Sequence, residues 1–159
     1  MSSKKKTAIG FEEKLQDIIS EIKQYGFGML NDMLDPQYVD CDPERMSCRI
    51  KYKKFNWEDN GRGEAHGGVI SAMMDTTMGI NAIALTEGRI STTDISINFI
   101  RPFMGRSFII ESEALQVGKR VIRLSAKAYD EDTGKLLAMS TGCFMHVDYE
   151  HTVGKSLGV

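Results

Sequence analysis

At 159 residues the chain has the length of one domain around a single buried core. Hydrophobic residues make up 42% and charged ones 26%, which excludes wholesale disorder, and a formal net charge of -2 argues against nucleic acid as the main partner. Three cysteines (Cys41, Cys48, Cys143) without Cys-x-x-Cys spacing suit reduced thiols, and so a cytoplasmic location. No uninterrupted apolar run reaches the ~18 residues of a membrane span. After Lys4-Lys5-Lys6 the sequence turns charged, at Glu12-Glu13-Lys14, where a signal peptide would turn apolar.

Residues 1–10 read as a flexible tail, followed by one domain over 11–149 and a loose C-terminal tail over 150–159. Phe11, Leu15, Ile18, Ile19 and Ile22 recur at helical spacing between charged residues, predicting an amphipathic helix from Phe11 to Tyr25, closed by Gly26 and Gly28. The turn signals Asp35-Pro36 and Asp42-Pro43 mark an irregular stretch. Cys48, Ile50 and Tyr52 alternate with Arg49, Lys51 and Lys53, predicting a half-exposed strand within Met46–Phe55. Asn60-Gly61-Arg62-Gly63 is a loop by composition. Gly67 to Thr86 is apolar on nearly every face, about five turns long if helical, and carries the single charge Asp75. Such a helix is expected to be buried all round.

The remainder reads as β: Ser91–Ile100, Arg106–Val117, Arg120–Tyr129 and Lys135–Val147, with a tight hairpin at Gly118-Lys119 and a turn at Asp130–Gly134. Strands of about ten residues exceed the usual five or six and tend to curve, and the apolar helix is the obvious filling. The fold class is therefore α+β: a long antiparallel sheet wrapped around a central hydrophobic helix, the hotdog architecture, preceded by an N-terminal helix. An open sheet edge of this length needs covering, and pairing between two copies is the simplest remedy.

Chemistry concentrates in Asn60 to Gly68 and in Asp75. Gly67 and Gly68 begin the central helix, where unbonded first-turn N–H groups and the positive end of the helix dipole suit a developing oxyanion. A carboxylate among Met73, Met74, Met78 and Ile80 is costly unless N–H or hydroxyl donors support it, which marks Asp75 as a site residue. Eight positions separate Gly67 from Asp75, about 12 Å of helix rise. An oxyanion donor and a nucleophile or base must both lie ~3 Å from one carbonyl. The two therefore belong to different copies of the chain, in a two-fold dimer with two equal sites. The spacing of His66, His146 and His151 gives no zinc site, so no metal and no cofactor is expected.

The series Asn60, His66-Gly67-Gly68, Asp75 resembles the hotdog acyl-CoA thioesterases of the phenylacetate-degradation type, as does Asp94-Ile95-Ser96-Ile97-Asn98-Phe99-Ile100-Arg101-Pro102 further along. The resemblance covers about Met46 to Val147 and implies hydrolysis of acyl-CoA thioesters. It implies that the Gly67 N–H polarises the thioester carbonyl, that Asn60 positions substrate or water, and that Asp75 of the partner subunit is nucleophile or general base. It further implies that His66 holds the loop and that Thr92 or Thr93 stands near the acid. Thr92 is preferred because strand alternation puts it on the face of Asp94. Gly68, Thr93 and Met74 are the candidate substrate-binding residues, and Lys119, Arg120 and Arg89 are candidates for the coenzyme phosphates. The expected assembly is a dimer extended to a dimer of dimers. A non-catalytic acyl-CoA binding or sensing protein and a hydratase on the same fold are the rival readings.

Overall fold

The computed structural model describes residues 2–25, 28–86 and 88–147. Helix α1 (Ser2–Tyr25) and the short α2 (Met29–Leu34) precede strands β1 (Gln37–Asp42) and β2 (Ser47–Lys53). A 3-10 turn (Asn56–Glu58) leads into α3 (Gly67–Thr86), followed by β3 (Ile90–Phe99), β4 (Ser107–Val117), β5 (Val121–Asp130) and β6 (Leu136–His146). The strands form one sheet in the order β1-β2-β4-β5-β6-β3, every pair antiparallel, with α3 packed across it. This is the α+β arrangement expected, a long sheet around a central helix. Gly26, read as part of a helix stop, and the segment 150–159, read as a tail, lie outside the described residues.

Three expectations need correction. Helix α1 starts at Ser2 and so runs through the segment read as a tail. The stretch read as irregular holds α2 and β1. Asp35 adopts the left-handed conformation (φ 46°, ψ 62°) that ends α2, and β1 follows at once. A register shift between Tyr38 and Asp40 breaks the two-residue period of β1, which hid the strand from a periodicity reading. Lastly, α3 is not buried all round. Ile70, Met73, Met74, Thr77, Met78, Ile80 and Asn81 are buried, whereas Ala72, Asp75, Gly79, Ile83 and Thr86, at helical spacing, are only half-buried. Among the described residues α3 is the one helix long and apolar enough to cross a membrane, yet half of that apolar window is buried within the fold, as in a core helix.

The buried face of α3 meets Ile50, Tyr52, Phe108, Ile110, Ile122, Leu124 and Phe144 from the sheet, while Phe11, Leu15, Ile19 and Ile22 of α1 join the same core. Each such side chain contributes roughly 1.5–3 kcal/mol on burial. Polar ties fix the helix rotationally: Tyr52 and Thr77 share a hydrogen bond (2.8 Å), and Asn81 Nδ2 donates to the Ser112 carbonyl (3.2 Å). At Gly142 the sheet leaves no room for a side chain. A Cβ there would lie 2.9 Å from the Phe144 ring and 3.0 Å from Met78 Cε. The glycine thus permits the close approach of α3 to β6.

Candidate active site

The loop before α3 bonds to itself. Asp59 Oδ1 accepts the Gly61 N–H (2.6 Å) and the Gly63 N–H (3.2 Å), which hold its carboxyl below the usual range. Gly61 (φ 85°) and Gly63 (φ 81°) supply the left-handed backbone this tight loop requires. Lys54 Nζ reaches the Gly63 carbonyl and lies 3.7 Å from Asp59. Asn60 is gripped on three sides. Its N–H donates to the Glu64 carbonyl (2.9 Å), its Nδ2 to Glu64 Oε2 (2.9 Å), and its Oδ1 accepts the Arg62 N–H (2.9 Å).

His66 caps α3. Its own N–H donates to the Glu58 carbonyl (2.7 Å) and its carbonyl accepts Val69 N–H (2.9 Å) and Ile70 N–H (3.1 Å). Its Nδ1 accepts the Gly68 N–H (3.0 Å), so the neutral ring carries its proton on Nε2. A side chain on Gly68 would press on that ring, 3.3 Å from Nδ1. These bonds satisfy three of the first-turn donors. Among the described residues the Gly67 N–H has no acceptor, and Gly67 lines a cavity of about 360 Å³ with Asn60, Glu64, Phe99, Arg101 and Phe103. One open donor at the positive end of a 20-residue helix is suited to polarise a carbonyl oxygen.

Asp75 lies apart from that cavity. It is half-buried, and Thr92 Oγ1 donates to its Oδ1 (2.9 Å). Thr93 donates instead to the Cys143 carbonyl (3.0 Å). The structure thus pairs Thr92 with the acid, for a different reason than alternation. A register shift between Thr92 and Asp94 leaves Thr92 opposite the buried Phe144 and Asp94 opposite Cys143. Cross-strand partners share a face, so Thr92 and Asp94 point to opposite sides of the sheet. The bulge aims Thr92 at α3.

Of the remaining candidates, Met74 is sealed in the core and does not line the cavity. Lys119 and Arg120 stand exposed in the β4–β5 hairpin and Arg89 precedes β3, none of them in the cavity wall. Among the described residues no cluster of His, Cys, Asp or Glu has the makings of a metal site.

Three residues escaped the sequence reading. Arg101 lines the cavity, its guanidinium anchored on the Leu136 carbonyl (2.7 Å). Its place before Pro102 at the end of β3 was the available signal. Glu64 joins the cavity wall through its bond to Asn60. Glu58 is fully buried, and neither carboxyl oxygen has a hydrogen-bond partner among the described residues. Burial pushes its pKa up, against the nearby Phe55 peptide and the Lys54 charge.

Among solved structures the fold is similar to that of E. coli PaaI from the phenylacetic acid degradation operon, with a TM-score of 0.74 and 14% identity over 87% of this chain and 96% of that one. It is also similar to smu.793 from Streptococcus mutans, solved with acetyl-CoA bound, with a TM-score of 0.63 and 18% identity over 70% and 88% of the two chains. These likenesses establish the hotdog fold. Residues 62–137 match the Thioesterase superfamily. A protein of Saccharolobus solfataricus named "Putative esterase SSO2140" is 32% identical over 111 residues, spanning 69% of this chain and 76% of that one. The chain belongs to the thioesterase superfamily, a class of hydrolases acting on thioester bonds.

Proposed function

We propose that this protein hydrolyses acyl-CoA thioesters to the free acid and CoA, as a cytoplasmic homodimer with two equal sites, assembled further as a dimer of dimers. The observation that carries the reading is the division of the site. Gly67 and Asn60 share one cavity, and Asp75, eight positions along the same helix, lies outside it. A straight helix holds these groups about 12 Å apart, too far to serve one carbonyl. The half-buried stripe of α3 that carries Asp75 and the unpaired edge of β3 supply the surfaces for a second copy.

In this reading the thioester oxygen accepts the Gly67 N–H, while Asp75 of the partner subunit attacks the carbonyl carbon or removes a proton from the attacking water. In the first route the C–S bond breaks to leave an acyl–Asp75 anhydride, which water then hydrolyses to the acid and free Asp75. In the second the water oxygen bonds to the carbonyl carbon and the C–S bond breaks directly. Both release CoA, its thiolate taking up a proton as it leaves. Thr92 holds the Asp75 carboxylate in orientation, and His66 shapes the cap that leaves the Gly67 donor open. Acetyl-CoA bound to the Streptococcus mutans relative of this fold supports a CoA-linked substrate.

The test is thiol release from short, long and aromatic acyl-CoAs by wild type and Asp75→Asn. Release by the wild type that vanishes in the variant supports the reading. Tight binding of acyl-CoA without release from any ester would make the protein a sensor or carrier instead.

A further inference from the structure

Asn60 is held in a way that fixes its chemical polarity. Its Oδ1 faces a donor, the Arg62 N–H (2.9 Å), and its Nδ2 faces the Glu64 carboxylate (2.9 Å), which when ionised can only accept. Turning the amide over would set oxygen against oxygen and N–H against N–H. The backbone N–H of Asn60 on the Glu64 carbonyl (2.9 Å) closes the same ring and keeps the two residues side by side. One Nδ2 hydrogen is used by Glu64. Among the described residues no acceptor takes the other, and Asn60, Glu64 and Gly67 line one cavity.

We infer that Glu64 is a positioning residue that locks Asn60 as a hydrogen-bond donor to the reacting oxygen, beside the Gly67 N–H. The inference rests on the thioesterase reading and sharpens it: Asn60 acts by donating, and not by accepting a proton from water. A carboxylate is an unexpected wall for a cavity in which negative charge develops, since its field opposes that charge. Its half-exposed position weakens the repulsion through solvent, while the amide it orients stands in the cavity itself. The arrangement is explained if orientation of Asn60 outweighs the unfavourable field.

The two effects separate by substitution. Glu64→Ala removes the lock, so kcat should fall about tenfold or more with KM little changed, as for loss of a group that acts only in the transition state. Glu64→Gln can still accept through Oε1 and sheds the charge, so kcat should stay within about threefold of wild type. Asn60→Ala/Glu64→Ala should be no slower than Asn60→Ala alone, because Glu64 acts through Asn60. The sharpest variant is Asn60→Asp/Glu64→Gln. It restores a hydrogen bond between the two positions with donor and acceptor exchanged, and should fold as the wild type yet remain as slow as Asn60→Ala.

Wild type and these five variants are compared on hexanoyl-, palmitoyl- and phenylacetyl-CoA, with thermal melts as the check on folding. Wild-type kcat in Glu64→Ala, additive losses in the double alanine variant, or full activity in Asn60→Asp/Glu64→Gln would each overturn the inference. A readout free of turnover decides it independently. In ¹⁵N–¹H spectra the Asn60 side-chain amide should show one shifted, exchange-protected proton that Glu64→Ala abolishes. An Asn60 amide unchanged by Glu64→Ala would overturn the lock, whereas absence of wild-type thiol release counts only against the thioesterase reading.

Discussion

The loop from Asp59 to Gly68 and the Asp75–Thr92 pair carry the two halves of the proposed site, and they are built in opposite ways. In the loop, Asp59, Asn60, Glu64 and His66 all bond to neighbours within ten residues, and among the described residues the Gly67 N–H at the helix start is left open. Around Asp75 the described polar contact is one threonine from a distant strand, the helix face is half-buried, and β3 has an unpaired edge. The first half is preorganised by local sequence. The second depends on a strand brought in by the global fold and, in the dimeric reading, on a second copy. Preorganised donors need little rearrangement during reaction, so they serve electrostatic stabilisation, whereas the acid is free to approach from outside.

That contrast can be broken from either side. Replacing the acid should have the largest effect: Asp75→Asn should fold and dimerise yet lose about 1000-fold or more in turnover, measured by thiol release. Removing a positioning group from the preorganised half should cost less, about 10- to 1000-fold for Asn60→Ala. Thr92→Val deletes the hydrogen bond that orients the Asp75 carboxylate and should slow turnover about 10- to 100-fold, measured by thiol release. An effect of Thr92→Val equal to that of Asp75→Asn would mean that the pair acts as one unit.

The smaller effects concern stability and show which parts of the frame are rigid. Gly142→Ala overpacks the contact between Met78 and Phe144 and should destabilise the fold by about 1–3 kcal/mol in denaturant titrations. Glu58 gives the pH-dependent case. Its pKa is raised in the folded state, so folding favours its protonated form. The associated stability is full below the ordinary carboxylate range and is lost as pH rises through the raised value. Glu58→Gln should therefore raise the melting temperature near neutral pH, with the gain shrinking as the solution is acidified. Equal gains at all pH values would assign the effect to packing and not to the buried charge.

Much of this was legible in the sequence because it was written in local patterns. Alternation located β2, the length of the three last strands implied a curved sheet, and an acid within an apolar helix singled out Asp75. The unread parts depended on interactions distant in sequence or on broken periods. The register shift in β1 erased its alternation, and α2 is only six residues long, with Leu34 as its one buried side chain. The bulge at Thr93 supplied the contact of Thr92 with Asp75, while the reason given for preferring Thr92 failed on that same bulge. Glu64 was invisible for another reason. A glutamate in a polar loop has no signature, and its significance arises only when its carboxylate is seen against the Asn60 amide. The apolar composition of α3 likewise suggested burial on every side, because a stripe left for another molecule has the same residues as one buried in the chain's own core.

The central claim is that one site takes Asn60 and Gly67 from one subunit and Asp75 from the other, and subunit mixing tests it most directly. Asn60→Ala and Asp75→Asn homodimers, each slow alone, are exchanged by mild denaturation and refolding, with heterodimer formation confirmed by native mass spectrometry. Each heterodimer then holds one site with both wild-type residues and one with neither. Half of an equal mixture is heterodimer, so turnover should recover to about a quarter of wild type. Exchange without recovery would contradict the account and place both residues of a working site in the same chain.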